Sequence, residues 1–222
     1  MWTIYRHYRG KHYLSLGTAL HSEDLGSYQA YRALYDNELS RGWIRPLGMF
    51  HESTASGEKR FVPVASLRVL APEDEAVALG FGYDAWSDGR ARGEFISSYA
   101  ANRNHLRGTG YLLELMDGTP VSALNALRLS RGRVGLARVA TAPEHRGRGH
   151  ASLLMRGVME LVRMEDREIR FLLFSEVSPS FYERLGFVLL PQDWQQFPPA
   201  AAMISGAAPP TECDRELMRE YF

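Results

Sequence analysis

Residues 134–187 read VGLARVATAPEHRGRGHASLLMRGVMELVRMEDREIRFLLFSEVSPSFYERLGF, and this stretch decides the fold of the chain. It begins with an apolar, β-compatible run that ends at Pro143, because proline cannot donate a hydrogen bond to a sheet ladder. From Ala151 the apolar residues recur with a helical period. The glycine-rich turn RGRGHA, residues 146–151, therefore opens directly into a helix. A second apolar run at residues 169–174 predicts another strand.

The turn at residues 146–151 has the features of a phosphate-binding site. A helix start carries unpaired N–H groups and about half a positive charge, so it attracts an anion without any specific side chain. Gly147 and Gly149 let the backbone approach the anion closely, and Arg146 and Arg148 are placed to add charge-assisted hydrogen bonds. A tight, solvated connection could have the same sequence, so the choice between a phosphate site and an ordinary turn depends on the residues that follow.

Those following residues favour the phosphate site. Ser178 and Pro179 open a short helix as its cap and its first residue, and FYERLGF follows at residues 181–187. Together with Arg-x-x-Gly-x-Ala at residues 146–151, this segment resembles the GNAT family of N-acetyltransferases. The family signature is Arg/Gln-x-x-Gly-x-Gly/Ala at the head of the cofactor helix, and members tend to carry a tyrosine and then Gly-Phe near the thioester. The resemblance covers roughly residues 64–205.

The resemblance implies an α/β fold of the mixed α+β kind, with a mostly antiparallel sheet flanked by helices. It also implies binding of acetyl-coenzyme A (acetyl-CoA). The strand at residues 136–141 should splay from the strand at 169–174 and accept the pantetheine arm like an extra strand. The N–H near Val139 should then polarise the thioester carbonyl. The implied cofactor-binding residues are Val139, Thr141, Arg146, Gly147, Arg148, Gly149, His150, Ala151, Ser152 and Phe181.

The resemblance also assigns a catalytic role to Tyr182, which should protonate the departing thiolate. A packed aromatic beside Phe181 is the structural alternative for this residue. Some family members place a glutamate on the cofactor strand as the general base, but the matching position here is Gly135. Glu114 and Glu176 are the remaining candidates for the base, although each is equally compatible with an ordinary surface or edge carboxylate. The predicted catalytic set is Tyr182, Val139 and Glu114.

The acceptor site should involve the first helical region and the loop before the last strand, as it does in the family. Trp86, Tyr99 and Trp194 are the predicted substrate-binding residues, and carboxylates beside aromatic rings suit a cationic amine. The same residues would also serve as helix caps and core. The predicted reaction transfers an acetyl group from acetyl-CoA to a primary amine of a small molecule or protein. A sensor or scaffold that binds acyl-CoA without turnover is one alternative, and a nucleic-acid- or partner-binding module with an attached acetyltransferase is the other.

The first sixty residues have a different composition from the rest. Short aromatic runs, broken by Gly10, Gly17 and Gly26, predict a small β-barrel-like (SH3-like) domain. Residues 2–50 resemble a small bacterial domain family without a known function. Aromatic and cationic residues interleave over residues 5–13, a composition that also suits single-stranded nucleic acid. We prefer a core role for the aromatics, because so small a barrel needs them for its own core.

The sequence thus predicts three segments: residues 1–62, the β-rich domain; residues 63–205, the transferase domain; and residues 206–222, a tail with a short helix. Lysine plus arginine equals aspartate plus glutamate at 26 each, so no global field favours nucleic acid or an anionic membrane. The single cysteine, Cys213, excludes a disulfide framework and a cysteine-rich metal site, and we assign no metal.

The chain starts without a secretory hydrophobic region, and it has no stretch of about 18 apolar residues. We therefore expect a cytoplasmic protein with no membrane partner. The sequence leaves open whether the protein is a homodimer.

Overall fold

The computed structural model of the chain describes residues 1–102, 107–206 and 208–219. Its contacts divide the chain into two units. Unit 1 consists of Met1–Val69 and Leu112–Val121, and unit 2 consists of Leu70–Tyr111 and Ser122–Phe222. The predicted domain boundary near residues 62–66 falls inside a strand, Phe61–Val69, and the division of the chain into residues 1–62, 63–205 and 206–222 stays a prediction.

Unit 1 is an antiparallel meander with one short helix. Its elements are β1 (Trp2–His7), β2 (His12–Leu20), β3 (Ser27–Ala33), β4 (Gly42–Pro46), α1 (Leu47–His51) and β5 (Phe61–Val69). The strands pair in the order β5–β1–β2–β3–β4. Each neighbouring pair is antiparallel, as the short runs separated by turns predict.

Ring contacts show that this meander is rolled and not flat. The ring centroids of Tyr31 on β3 and Phe61 on β5 lie 5.5 Å apart, although β1 and β2 separate these strands in the pairing order. Three strand spacings in a flat sheet would place them about 14 Å apart. Phe50 of α1 is fully buried and stacks on Phe61 at 4.1 Å. Tyr5 and Tyr13 pack against the same cluster, so the interleaved aromatics of the first strands fill a barrel-like core.

Unit 2 combines a mixed sheet with helices. Its elements are α2 (Glu75–Gly80), α3 (Tyr83–Trp86), α4 (Arg92–Ala100), β8 (Arg133–Thr141), α5 (His150–Glu165), β9 (Arg170–Ser175), α6 (Pro179–Glu183), β10 (Phe187–Leu189), β11 (Ala201–Ser205) and α7 (Glu212–Leu217). Strands β6 (Thr109–Leu115) and β7 (Pro120–Arg128) have residues in both units.

The sheet of unit 2 runs in the order β10–β11–β9–β8–β7. Only β8 and β9 are parallel, and the other pairs are antiparallel. Helix α5 connects these two parallel strands, as such a crossover requires. Its buried face includes Leu154, Val158 and Leu161, which follow the helical period of the sequence. The mixed, mostly antiparallel α/β fold is therefore confirmed. Within the described ranges, no helix has both the length and the apolar character needed to cross a membrane.

The C-terminal segment holds the paired ends of β8 and β9 together. Thr211 caps α7, and its side chain and that of Asp214 form a reciprocal capping box. The buried Asp214 carboxylate also accepts hydrogen bonds from Arg133 at 2.6 Å and Arg170 at 3.4 Å. These two arginines are register partners on β8 and β9. The predicted short helix of the tail thus joins the sheet through one carboxylate.

Candidate active site

Strands β8 and β9 separate soon after they begin to pair. Their parallel register covers only Arg133–Gly135 against Arg170–Leu172. Beyond Gly135 no residue of β8 pairs with a residue of β9, although both strands continue for several residues. The predicted splay of residues 136–141 from residues 169–174 is therefore confirmed. It leaves backbone groups on β8 that can pair with an extended ligand.

A bulge re-aims β8 where the strands separate. Asn125 on β7 pairs with Ala137, and Ala123 pairs with Ala140, so two residues of β8 oppose one of β7. One of the two, Arg138, has φ of +52°. This left-handed conformation costs a non-glycine residue about 1 kcal/mol or more. Bulges of this kind turn a strand and redirect its side chains.

The glycine turn opens into α5 with a free helix start. Gly147 and Gly149 have φ of +74° and +84°, which glycine adopts without strain. The Leu153 N–H donates to the Gly149 carbonyl at 3.0 Å, so the N–H groups of residues 150–152 precede the first helical hydrogen bond. A Cβ atom added at either glycine would meet nothing within 4 Å. This open, donor-rich cradle fits a phosphate group.

Arg146 has a partner inside the protein. Its guanidinium binds the Asp84 carboxylate through two hydrogen bonds of 2.6 and 2.7 Å, and it also donates to the carbonyls of Phe81 and Thr141. The hydrogen bond from Arg146 is the main reason why the pKa of Asp84 lies below its usual value. Arg146 therefore ties the glycine turn to α3, whereas Arg148 is exposed.

A cavity of about 660 Å³ lies in unit 2, where β8 leaves β9. Residues 136–141 of β8 form one wall. Trp86 and Tyr99, from the helices before the sheet, form another wall, and Tyr182 and Glu176 complete the lining together with apolar side chains. The cavity thus contains predicted residues from three separate parts of the sequence: Val139 and Thr141, Trp86 and Tyr99, and Tyr182.

Tyr182 presents a buried phenol to this cavity. Its exposed fraction is 8 %, and the Phe181 ring packs edge-on against it at 4.8 Å. Burial raises the pKa of Tyr182 to about 12, and the negative charge of Glu176 acts in the same direction. The hydroxyl therefore keeps its proton at neutral pH, as a proton donor must.

Glu176 is the carboxylate that the fold brings to the cavity. One of its oxygens accepts a hydrogen bond from the Trp86 indole N–H at 2.7 Å. Burial raises the pKa of Tyr99, and Glu176 contributes to the same shift. Trp86 and Tyr99, both predicted to bind the acceptor, thus lie beside a negative charge in one cavity.

Two predicted site residues lie elsewhere. Glu114, on β6 in unit 1, accepts a hydrogen bond from Arg68 at 2.6 Å and one from Ser66 at 3.4 Å. It does not line the cavity, because a cation on the neighbouring strand holds it. Trp194 packs against the cluster of Leu172, Ala202, Met218 and their neighbours and does not line the cavity either. Hydrophobic packing with the C-terminal segment explains its aromatic character.

Sequence reasoning missed one charged residue of the site. Arg138 lines the cavity, and its guanidinium lies over the Tyr99 ring at 5.5 Å. The signal was present in the sequence, since Arg138 interrupts the apolar run of β8 (Arg133–Thr141). The sequence could not show that the Arg138 side chain faces the cavity, because the bulge that turns this residue depends on the pairing of β8 with β7.

Comparisons with known proteins agree with this geometry. Residues 107–189 match the model of the acetyltransferase (GNAT) domain. Residues 3–63 match the model of a protein family of unknown function, DUF1653. No curated protein matches the chain.

Three solved structures that match the chain are distant from it in sequence. A protein assigned as an N-acetyltransferase from Lactobacillus plantarum is 17 % identical, with a TM-score of 0.50; the match covers 64 % of this chain and 97 % of that one. A GNAT-family acetyltransferase from Staphylococcus aureus is 13 % identical, with a TM-score of 0.49 over 64 % and 98 % of the chains. A spermidine N-acetyltransferase chimera from Vibrio cholerae is 15 % identical, with a TM-score of 0.49 over 64 % and 94 %.

The superposition on the Lactobacillus plantarum structure shows a shared fold, and the domain match adds the class of enzyme. The splayed strands, the glycine turn before a helix and the buried tyrosine lie within or beside the matched region. The chain carries an acetyltransferase domain of the GNAT family over residues 107–189 and a DUF1653 domain over residues 3–63.

Proposed function

We propose that this protein transfers an acetyl group from acetyl-CoA to an amine. One observation carries the proposal: the Tyr182 phenol and the Glu176 carboxylate line the same cavity, at the point where β8 leaves β9. A proton donor and a proton acceptor are the two groups that amine acetylation needs. The family supplies the class of co-substrate, an acyl-CoA, and the choice of acetyl-CoA belongs to the proposal.

The residues of this chain fit the parts of acetyl-CoA. The N–H groups of residues 147–152 would hold the pyrophosphate, since the helix start is donor-rich and both glycines leave open space. The free edge of β8 around Val139 would hold the pantetheine arm by β-type hydrogen bonds. When bound, acetyl-CoA supplies the activated acetyl thioester. Thr141, on the same strand, lines the cavity. The Phe181 ring packs edge-on against Tyr182.

Tyr182 and Glu176 then have complementary roles. Tyr182 holds its proton at neutral pH and would deliver it to the sulfur as the thiol leaves. Glu176 would take a proton from the acceptor ammonium, directly or through water. In this proposal Glu176 replaces the glutamate that some relatives carry where this chain has Gly135. The Trp86 indole, which donates to Glu176, would hold the carboxylate in place.

The test has two steps. Acetyl-CoA at about a hundred times its dissociation constant should stabilise the fold by about 2.7 kcal/mol, which is measurable as a shift of the melting midpoint. Free thiol should then be released on addition of amines from a panel of amino acids, diamines and arylamines. An unchanged melting midpoint would contradict the assignment of the site.

Binding of acetyl-CoA with no thiol release across the panel would favour the alternative of a sensor or scaffold. The absence of a glutamate at position 135 keeps that alternative worth testing. Mass detection of the acetylated amine is the matching control, because slow hydrolysis of the thioester also releases thiol.

A further inference from the structure

Arg138 differs from three other arginines of unit 2 that bind carboxylates. Arg133, Arg146 and Arg170 each bind a carboxylate at 3.4 Å or less. Arg138 lies in the cavity wall beside the Tyr99 ring. Among the described residues, its Nη1 atom is buried without a hydrogen-bond partner. Its backbone is also in a left-handed conformation, with φ of +52°.

A buried N–H group of a cation that has no hydrogen-bond acceptor is costly, so the position of the Arg138 Nη1 atom needs an explanation. Charged groups in protein interiors are normally paired, because water no longer solvates them. Burial lowers the pKa of Arg138 to about 10, and Glu75 counters this shift through space. The guanidinium is therefore still charged at neutral pH, and its buried Nη1 atom lacks a hydrogen-bond acceptor. An anionic ligand in the cavity would supply one.

The cavity also carries the opposite charge. Glu176 lines it together with Arg138, and the remaining lining includes the aromatic side chains of Trp86 and Phe174. A cationic group beside Glu176, an anionic group on Arg138 and an apolar substituent against the rings would satisfy all three features. A free amino acid has these three parts within one small molecule.

We propose that the acceptor is a small amine that also bears a carboxylate, and that Arg138 binds this carboxylate through a two-point hydrogen bond. The inference rests on the proposed function, since it names the substrate class of the same site. The planar guanidinium matches a carboxylate in shape. The same positive charge disfavours polyamines, because a second ammonium group would approach an unpaired cation.

The first test compares amino acids with their own amides in the wild-type protein. The probes are phenylalanine, methionine and leucine, each beside its C-terminal amide. The amide keeps the amine and the side chain but removes the negative charge, and its amine loses a proton more easily. We expect kcat/KM for each acid to exceed that of its amide by about tenfold or more. Amides that react as well as the acids, or better, would overturn the inference.

The second test changes Arg138 itself. Arg138→Gln removes the charge, and the new residue is, like arginine, a non-glycine residue in the left-handed conformation. Arg138→Lys keeps a positive charge but lacks the planar guanidinium. We expect Arg138→Gln to lower kcat/KM for the acids by at least about tenfold and to leave the amides within about twofold. Arg138→Lys should restore part of the preference for acids. Arg128→Gln is the matched control, because Arg128 makes an exposed ion pair with Glu165.

A binding measurement separates this inference from the proposed function. N-acetylphenylalanine and its amide carry no reactive amine, so their affinities, measured by calorimetry with CoA present, do not depend on catalysis. Tighter binding of the acid, lost in Arg138→Gln, would support the inference even if no turnover were found. Equal affinities, or an Arg138→Gln variant that loses acetyl-CoA affinity instead, would overturn it. The latter result would place Arg138 against the co-substrate.

Discussion

Tyr182 is where burial changes the chemistry of one residue. An exposed tyrosine has a pKa near 10.0, and burial raises the pKa of Tyr182 to about 12. The shift makes the proton harder to lose and keeps the donor loaded across the neutral range. Packing beside Phe181 and a role in proton transfer are therefore compatible, although the sequence presented them as alternatives.

The first prediction removes the Tyr182 hydroxyl. Tyr182→Phe should lower kcat by about a hundredfold while acetyl-CoA affinity stays nearly unchanged, because the ring and its contacts remain. Initial rates on an identified amine and a melting shift with acetyl-CoA measure the two quantities. Tyr111→Phe is the matched control, since Tyr111 is also a tyrosine whose pKa burial raises but it does not line the cavity. Wild-type turnover in Tyr182→Phe would show that the residue is structural.

The second prediction concerns the phosphate cradle. Gly149→Asp should abolish the stabilisation by acetyl-CoA, because the carboxylate would enter the open space at the helix start and repel the phosphates. Gly57→Asp is the matched control: Gly57 also has φ of +84° and open space around an added Cβ. Both variants share the backbone strain, so only the loss of binding should differ. Retained binding in Gly149→Asp would place the phosphates elsewhere.

At the scale of elements, one ion pair joins the glycine turn to α3 (Tyr83–Trp86). The third prediction is that Arg146→Gln and Asp84→Asn raise the KM for the acceptor to the same extent, because each releases α3 from the turn. Both side chains are nearly half exposed, so stability should change little. Steady-state kinetics with each substrate varied would measure the effect. A large loss of acetyl-CoA affinity in Arg146→Gln alone would show a direct phosphate contact.

The paired ends of β8 and β9 depend on the tail through Asp214. The fourth prediction is that Asp214→Asn lowers the free energy of unfolding by about 3 kcal/mol, because two largely buried arginines lose their shared anion. Urea denaturation followed by circular dichroism would measure it. Asp193→Asn is the control. Asp193 is also a carboxylate near the last strand, but it makes no ion pair within the described residues. A decrease in the free energy of unfolding of less than about 1 kcal/mol would contradict the proposal that Asp214 stabilises the paired ends of β8 and β9.

The same carboxylate predicts a dependence on pH. Burial alone would raise the pKa of Asp214, but hydrogen bonds from Arg133 and Thr211 outweigh it, so its pKa lies below the usual value of 3.8. The stabilisation is therefore complete above the unfolded-state pKa and declines as the pH falls through the folded-state pKa. Wild-type stability should drop below about pH 4, and Asp214→Asn should show a weaker drop. Parallel curves for the two proteins would contradict this.

At the scale of the whole molecule, the two units are not two consecutive segments. Leu112–Val121 belongs with Met1–Val69 in unit 1, and Leu112, Leu113 and Val121 are fully buried. The proposed site residues, in contrast, all lie in unit 2. We propose that the transferase site is complete without the N-terminal domain. The stability of the fold, in contrast, depends on that domain.

The fifth prediction tests this with a fragment of residues 70–222. It should contain every proposed acetyl-CoA contact but unfold at lower urea concentration than the full chain. Each apolar side chain newly exposed to water costs about 1.5–3 kcal/mol, and three are affected. The full-length protein is the reference, and a melting shift with acetyl-CoA reports the site. A fragment as stable as the full chain would show that residues 112–121 do not need the N-terminal segment.

The sequence by itself determined the elements whose signals are local. The period of α5, the glycine turn before it and the apolar strands on either side depend on residues within a few positions of one another. Backbone sterics and hydrophobic periodicity act over that range. The glycine turn before a helix and the short helix that holds Tyr182 were predictable for this reason, whereas the mixed sheet was implied by the resemblance to the GNAT family.

Only the tertiary structure decided where the charged side chains go. Arg146 binds Asp84, 62 residues away, and Glu114 is held by Arg68, 46 residues away; no local pattern encodes either pair. Glu176, a weaker candidate in the sequence, reaches the cavity because β9 ends there. Arg138 reaches it because a bulge against β7 turns the strand. Charge pairing and strand register are properties of contacts between distant segments, and these contacts exist only in the folded chain.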